Sequence, residues 1–413
     1  MKVLMINSVC GIGSTGRICT DIADELTENG HECKIAFGRK AAPERYQKYA
    51  YRITSDGGVK INALKARLFD NEGFNAARAT KKLISFIEEY NPDVIHLHNL
   101  HGYYLNVEVL FDYLKKADKK VVWTLHDCWA FTGHCAYFDY PECGKWKINC
   151  CGCSRLNDYP KAIIDRSERN LAKKKGIFRG VKNLTVVTPS KWLAELVKQS
   201  FLGEYLIEVI NNGIDTAVFH PTESNFKEKN GLSGKKIILG VANIWDARKG
   251  FGDFISLSKK ISDDYRIVLV GLDEKQLGML PENILGITRT SSAKELAEIY
   301  TAADVLFNPT YEDNYPTVNL EAQACGTPVV TYDTGGSRET IFLDNGKVVE
   351  KGDLESAFEK IKFYAENSAG EKLAIGEIEE ENMHGIFVDS DNENFDKKVC
   401  CKKYVRLFGA EDK

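Results

Sequence analysis

The sequence predicts an α/β protein made of two doubly wound parallel sheets facing each other across a cleft. Short β-branched runs alternate with helical patterns along most of the chain. The apolar residues of those runs occupy consecutive positions rather than every second one, as in strands that helices cover on both faces. The alternation restarts near the middle of the 413 residues, and a 43% hydrophobic content exceeds what one core usually absorbs, since domains cluster near ~100–200 residues.

In chain order, "KVLMINSV" reads as the first strand, "STGRICTDIADELTENG" as the first helix and "ECKIAFG" as the second strand. "DVIHLHN", "KVVWTLHD" and "LTVVTPS" extend the same sheet. After "EVINNGIDTAVFHP" the pattern begins again with the strand "KKIILGVAN", the helix "GFGDFISLSKKI" and the strand "YRIVLVG". "SAKELAEIYTAA" then reads as a helix, and "DVLFNPT" and "TPVVTYD" as strands. Two Rossmann-like halves follow, 1–205 with a cysteine-rich insertion at 128–160, and 206–390. A terminal helix within 391–413, "FDKKVCCKKYVRLFG", is placed to pack back on the first half. The acidic stretch "NSAGEKLAIGEIEEENMHGIFVDSDNEN" breaks periodicity and reads as loop or surface helix.

A net charge of −4 offers no basic field for nucleic acid. The opening "MKVLMINSVCGIG" holds an apolar run too short for a signal peptide or a spanning helix, so the expected location is the cytoplasm. The basic stretch "LAKKKGIFRGVK" reads as solvated charge, with contact to anionic lipid at the inner face of the plasma membrane as the alternative.

The chemistry concentrates where strands end. "DNYPTVNLEAQACGTPVV" sets Asp313 on a loop and Glu321 eight positions later, with Pro316 opening a helix between them. The amides of Thr317 and Val318 at that helix start favour an anion such as a phosphate. Spacing alone leaves a solvated loop acid and an exposed helical glutamate as the competing reading. Arg248 and Lys249 precede a glycine at a strand-to-helix turn, which suits a phosphate or a solvated turn. In the first half, Gly13, Ser14 and Gly16 allow a close backbone approach after the first strand, and Arg17 follows. The spacing is not that of a dinucleotide fingerprint. His126 ends one strand, and His96, His98 and His101 lie at the end of another. Ser190 reads as a helix cap, and Asn212, Gly213 and Asp215 shape the crossing into the second half.

Cys135, Cys143, Cys150 and Cys153 make a four-thiol set whose last pair has the two-residue gap of structural zinc sites. A zinc that staples the insertion is one reading, and free thiols or a disulfide in a loop are the others.

The string "PTYEDNYPTVNLEAQACGTPVVTYDTGGSRE" resembles the donor-site signature of family-four glycosyltransferases of the GT-B fold, and the resemblance covers residues 1 to about 365. It implies that Glu321 binds the ribose hydroxyls of a nucleotide and that Asp313, or Glu312 beside it, holds the transferred sugar. The first acid here is Asp rather than the usual Glu. The usual arginine slot holds Asn243, so Arg248 joins Lys249 on the donor diphosphate. Gly13 and Ser14 fall in the loop opposite the donor, while Gly16, Arg17 and His101 fall on the acceptor side. His126 matches the histidine that reaches the sugar.

The resemblance implies a retaining transferase, independent of divalent ions, that moves a sugar from a nucleotide-diphosphate sugar to a glycan or lipid-linked saccharide in cell-surface polysaccharide biosynthesis. A nucleotide-sugar epimerase of the same fold and a non-catalytic sugar-nucleotide-binding subunit are the alternatives.

Overall fold

The computed structural model describes residues 1–140, 142–342, 345–367 and 395–409. Most of the acidic stretch 366–394 lies outside the described residues. The chain forms two compact units, Met1–Asn212 with Lys398–Lys413, and Gly213–Lys397.

The first unit holds β1 (Lys2–Asn7), β2 (Glu32–Phe37), β3 (Ala50–Arg52), β4 (Val94–Leu97), β5 (Lys120–Thr124), β6 (Leu184–Thr188) and β7 (Leu206–Val209). They lie in the order β3-β2-β1-β4-β5-β6-β7, and every pair is parallel. Consecutive residues of β1 feed different cores. Leu4 and Ile6 pack with Ile95, Trp123 and Phe178 on one face. Val3 and Met5 pack on the other with Cys19, Ile22 and Leu26 of the helix Gly13–Glu28. That double burial is why the strand carries no polar alternation.

The second unit repeats the design with β8 (Lys236–Val241), β9 (Tyr265–Val270), β10 (Ile284–Ile287), β11 (Val305–Asn308), β12 (Val329–Tyr332) and β13 (Gly346–Val349). Their order is β10-β9-β8-β11-β12-β13, again all parallel. Ile237 and Leu239 enter one core and Ile238 the other. In both sheets the order reverses beside the first strand, between β1 and β4 and between β8 and β11. The carboxyl ends of strands at such a reversal form the crevice where open α/β sheets bind ligands.

The boundary expected at 206 lies at 213, because Leu206–Val209 pairs with β6 as an edge strand of the first sheet. The far boundary falls at 397 rather than 390. The terminal helix Lys397–Phe408 places Cys401, Tyr404, Val405 and Phe408 in a core of the first unit. The Thr124 hydroxyl donates to the Tyr404 oxygen at 3.2 Å.

Candidate active site

In the second unit, the segments after β8 and β11 are tied together at the reversal. Past β8 the chain makes a short 3-10 turn, Ala247–Lys249, capped by the Asp246 carboxylate, which accepts from the Lys249 amide at 3.0 Å. Gly250 follows with φ +72°, where a Cβ would come within 2.3 Å of the Pro309 carbonyl oxygen. Only glycine combines that backbone angle with that approach. The Tyr311 amide donates to the Arg248 carbonyl at 2.7 Å, and the Arg248 guanidinium donates to the Glu312 carbonyl at 2.8 Å. Lys249 Nζ donates to the Asp313 carboxylate in an ion pair.

Of the two adjacent acids, Asp313 is half-buried and meets the lysine, whereas Glu312 is 1% exposed. Donor contact through the Glu312 side chain is therefore not what this arrangement presents. The Asp313 carbonyl accepts from the Gly336 amide at 3.2 Å, and Gly335 packs so tightly below that a Cβ would lie 1.8 Å from the same oxygen.

The helix Thr317–Ala324 follows Pro316, which takes the N-cap position rather than the first helical one, and no side chain caps its first turn. Thr317 and Val318 are half-buried at that start. A buried amide network fixes the helix. Asn308 at the end of β11 donates to Asn319 at 2.9 Å, Asn319 donates to Thr340 at 2.8 Å, and Gln323 donates to the Asn319 and Thr340 carbonyls. Glu321, half-buried one turn into the helix, accepts from the Tyr300 hydroxyl at 2.9 Å. Tyr300 is fully buried, so it fixes the direction of this carboxylate. Neither Tyr300 nor Asn319 carried a sequence signal, since both lie in helical patterns where they read as core residues.

In the first unit, Gly13 and Ser14 are exposed in the first turn of the helix Gly13–Glu28, and Arg17 is exposed a turn later. Gly16 is buried, with its carbonyl accepting from the Gly11 amide at 3.0 Å. Asn7, at the end of β1, accepts from the Asn99 amide at 3.3 Å and so joins this loop to the one after β4.

The histidines gather at the carboxyl ends of β4 and β5. His126 Nε2 lies 3.0 Å from His98 Nδ1, and the two rings stack at 5.3 Å. His96 Nε2 lies 2.8 Å from the Thr124 hydroxyl. Burial disfavours the charged rings, holding His126 at about 4 and His96 at about 3, with His98 well below its usual value. His101 bridges two groups, with Nε2 at 2.8 Å from Asp127 Oδ2 and Nδ1 at 2.9 Å from the Tyr159 hydroxyl. Burial opposes the Asp127 charge, but the His101 ring and the Trp129 amide outweigh it and hold the carboxyl below its ordinary range. Glu72, which the sequence did not single out, accepts from the Gly102 and Tyr103 amides at 2.6 and 2.9 Å and so fixes the loop beside His101.

Cys135, Cys143, Cys150 and Cys153 line one cavity of about 30 Å³ together with His134. The Gly133 amide donates to the Cys150 sulfur at 3.3 Å. His134 Nδ1 lies 2.6 Å from Asp70, and its Nε2 has no hydrogen-bond partner. None of the twelve cysteines is in a disulfide. Among the described residues no group of three or more His, Cys, Asp or Glu is arranged to hold a metal ion.

Paired doubly wound sheets, with a lysine, an acid and an uncapped helix start at the reversal of the second, define the class of GT-B glycosyltransferases. Residues 15–218 match the family model described as Glycosyltransferase Family 4, and residues 235–367 the model described as Glycosyl transferases group 1. The chain belongs to this glycosyltransferase family and is an enzyme of that kind.

Among its relatives is a protein named as a colanic acid biosynthesis glycosyl transferase, WcaC of Escherichia coli K12, 26% identical over 373 residues, 86% of this chain and 88% of the relative. An N,N'-diacetylbacillosaminyl-diphospho-undecaprenol alpha-1,3-N-acetylgalactosaminyltransferase of Campylobacter jejuni is 26% identical over 227 residues, 52% of this chain and 57% of the relative. Among solved structures, Anabaena HepE in complex with UDP and glucose superposes with a TM-score of 0.65 at 15% identity, covering 99% of each chain. At that identity the likeness speaks for the fold.

Proposed function

We propose that the chain transfers a sugar, with retention of anomeric configuration, from a nucleoside diphosphate sugar to a hydroxyl of a lipid-linked saccharide in cell-surface polysaccharide assembly. The observation that carries this reading is the convergence of Lys249, Asp313 and the uncapped start of Thr317–Ala324 at one strand reversal, with Glu321 one turn further on. Breaking the anomeric bond leaves negative charge on the diphosphate and positive character on the sugar ring. Lys249, Arg248 and the amides of Thr317 and Val318 stabilise the first, and preorganised charge of this kind is usually a large catalytic term. Asp313 holds the sugar and Glu321, directed by Tyr300, the ribose.

Relatives named for colanic acid synthesis and for a diphospho-undecaprenol acceptor support the substrate class, and a fold shared with a UDP-bound structure supports the donor class. A lipid-linked acceptor places the work at the inner face of the plasma membrane. Among the described residues no helix is long and apolar enough to cross a membrane.

Lys249→Ala should abolish transfer from a panel of nucleotide sugars while leaving the thermal melt in place; retained turnover would overturn the assignment. Donor incubated alone separates the epimerase, which would convert it. A zinc ion drawing the four insertion thiols together is a separate structural proposal, supported by their shared cavity and by the Cys150–Cys153 spacing. Metal analysis of the purified chain beside its Cys150→Ser/Cys153→Ser variant decides it, and transfer that persists with a chelator is expected.

A further inference from the structure

The cations of the basic stretch 171–182 do not form one continuous exposed face. Lys174 is buried, with Nζ donating to the Trp129 and Thr132 carbonyls at 2.6 and 3.0 Å. Lys173 pairs with Glu108 and Arg179 with Glu204, each at 2.6 Å. An apolar and cationic surface exists elsewhere on the first unit, on the helix Asp56–Phe69.

That helix buries Asn62 and Ala66 and turns Ile61, Leu64 and Leu68 to the outside. Positions i, i+3 and i+7 fall on one side of a helix, so these three make a stripe opposite the packed face. Ile61 and Leu64 are each 58% exposed. Phe69, also exposed, ends the helix, with the Arg166 guanidinium 5.8 Å from its ring centre. The Ile163 amide donates to the Arg67 carbonyl at 2.8 Å, which brings the exposed Ile163 and Ile164 against the same end. Elsewhere in the described chain, exposed large apolar side chains are scattered along the sequence; here six lie on this helix and on the segment bonded to its end.

Cations outnumber acids around the stripe, although Glu168, which accepts from the Asn149 amide group at 3.0 Å, is also exposed on the neighbouring segment. Lys60, Lys65 and Arg67 are exposed on the helix, and Lys161 and Arg169 are exposed on the neighbouring segment. The helix holds one acid, Asp56, already paired with Arg52. The nearby Asp165 is half-buried and accepts from the Cys153 and Ser167 amides. An apolar stripe edged by long cationic side chains suits the boundary between lipid tails and anionic headgroups, where the stems lie along the tails and the charges reach the phosphates.

We propose that the exposed face of the helix Asp56–Phe69, continued by Ile163 and Ile164, docks the first unit on an anionic lipid bilayer. The use of such docking rests on the reading that the acceptor is lipid-linked, but the surface can be tested without any acceptor. The purified full chain is sedimented with vesicles of phosphatidylcholine alone and of phosphatidylcholine with phosphatidylglycerol. Binding is expected on the anionic vesicles, weakened by salt, and absent on the neutral ones.

Leu64→Glu/Leu68→Glu and Lys65→Glu/Arg67→Glu should each lower the bound fraction constant by roughly tenfold or more. Both should leave transfer to a water-soluble acceptor unchanged, which also confirms that they fold. Equal binding to both vesicle types, or full binding by both variants, would overturn the proposal. So would a dimer that Leu64→Glu/Leu68→Glu dissociates in a chain that does not sediment with lipid, because the stripe would then belong to a second copy. Should transfer fail on every substrate while anionic vesicles still bind, the docking surface stands and the substrate reading falls.

Discussion

Lys249 and Asp313 form an ion pair at the strand reversal of the second sheet, joining the turn after β8 to the loop after β11. On the proposed reading an incoming diphosphate and the Asp313 carboxylate would share one ammonium group, and the acid at position 313 would temper how strongly the lysine holds a donor.

Asp313→Asn frees the lysine and removes the carboxylate assigned to the sugar. The donor KM should stay the same or fall, while kcat drops by about a hundredfold, the scale of one preorganised polar contact at a reacting centre. Asp313→Glu, one methylene longer, should keep kcat within roughly tenfold of the parent. Steady-state kinetics separate the two, and an unchanged kcat in Asp313→Asn would remove this residue from the chemistry.

Tyr300→Phe takes away the hydroxyl that directs Glu321 at 2.9 Å. A hydrogen bond to a charged group contributes about 1.5–3 kcal/mol. Part of that is recovered because Glu321 is half-buried and water can replace the phenol. The donor KM should rise several-fold with kcat nearly intact. A fall in kcat alone would mean that Tyr300 acts on something other than nucleotide binding.

Gly335 has φ +54° and no room for a Cβ beside the Asp313 carbonyl. Gly335→Ala must displace the 311–315 loop or strain its own backbone, at about 1–3 kcal/mol for a residue held in an unfavourable region. Chemical denaturation should show that loss, and transfer should fall along with it. A variant of full activity and stability would contradict the close approach described here.

His96, His98 and His126 are held uncharged by burial, below the ordinary value of 6.5. Between 6.5 and their folded values the unfolded chain binds more protons than the folded one. Stability should therefore be flat above about pH 7 and fall as the pH drops toward 4, by about 1.4 kcal/mol per pH unit for each histidine titrating in that window. Equilibrium denaturation across this range reads the slope, and His126→Asn should make it shallower.

The two parallel sheets and the helix at Pro316 could be read from sequence because each is a local signal. β1 and β8 are apolar at consecutive positions because each faces two cores, and Pro316 fixes a helix start with its own ring. β7 was misplaced for the same kind of reason. "LIEV" alternates exposed and half-buried residues, the pattern of an edge strand, and only its pairing with β6 shows which sheet it extends. Asp313, Glu321 and Lys249 stood out by type and spacing. Tyr300, 21 positions before Glu321, and Glu72, 30 before Gly102, act through contacts that no local window contains. Lys174 sat in a run of cations and gave no sign that it is enclosed by Trp129 and Thr132.

The helix Lys397–Phe408 completes a core whose other residues lie within the first 212 positions. The first unit is thus discontinuous, entered by the chain twice, with the whole second unit inserted between its pieces. Expressing residues 1–212 by themselves would leave the flank of β4 and β5, where His96 and Thr124 meet Tyr404 and Phe408, bare to water. Chimeras that exchange donor specificity between relatives should accordingly splice at two joints, near 212 and 397, and keep the tail with the head of its own parent.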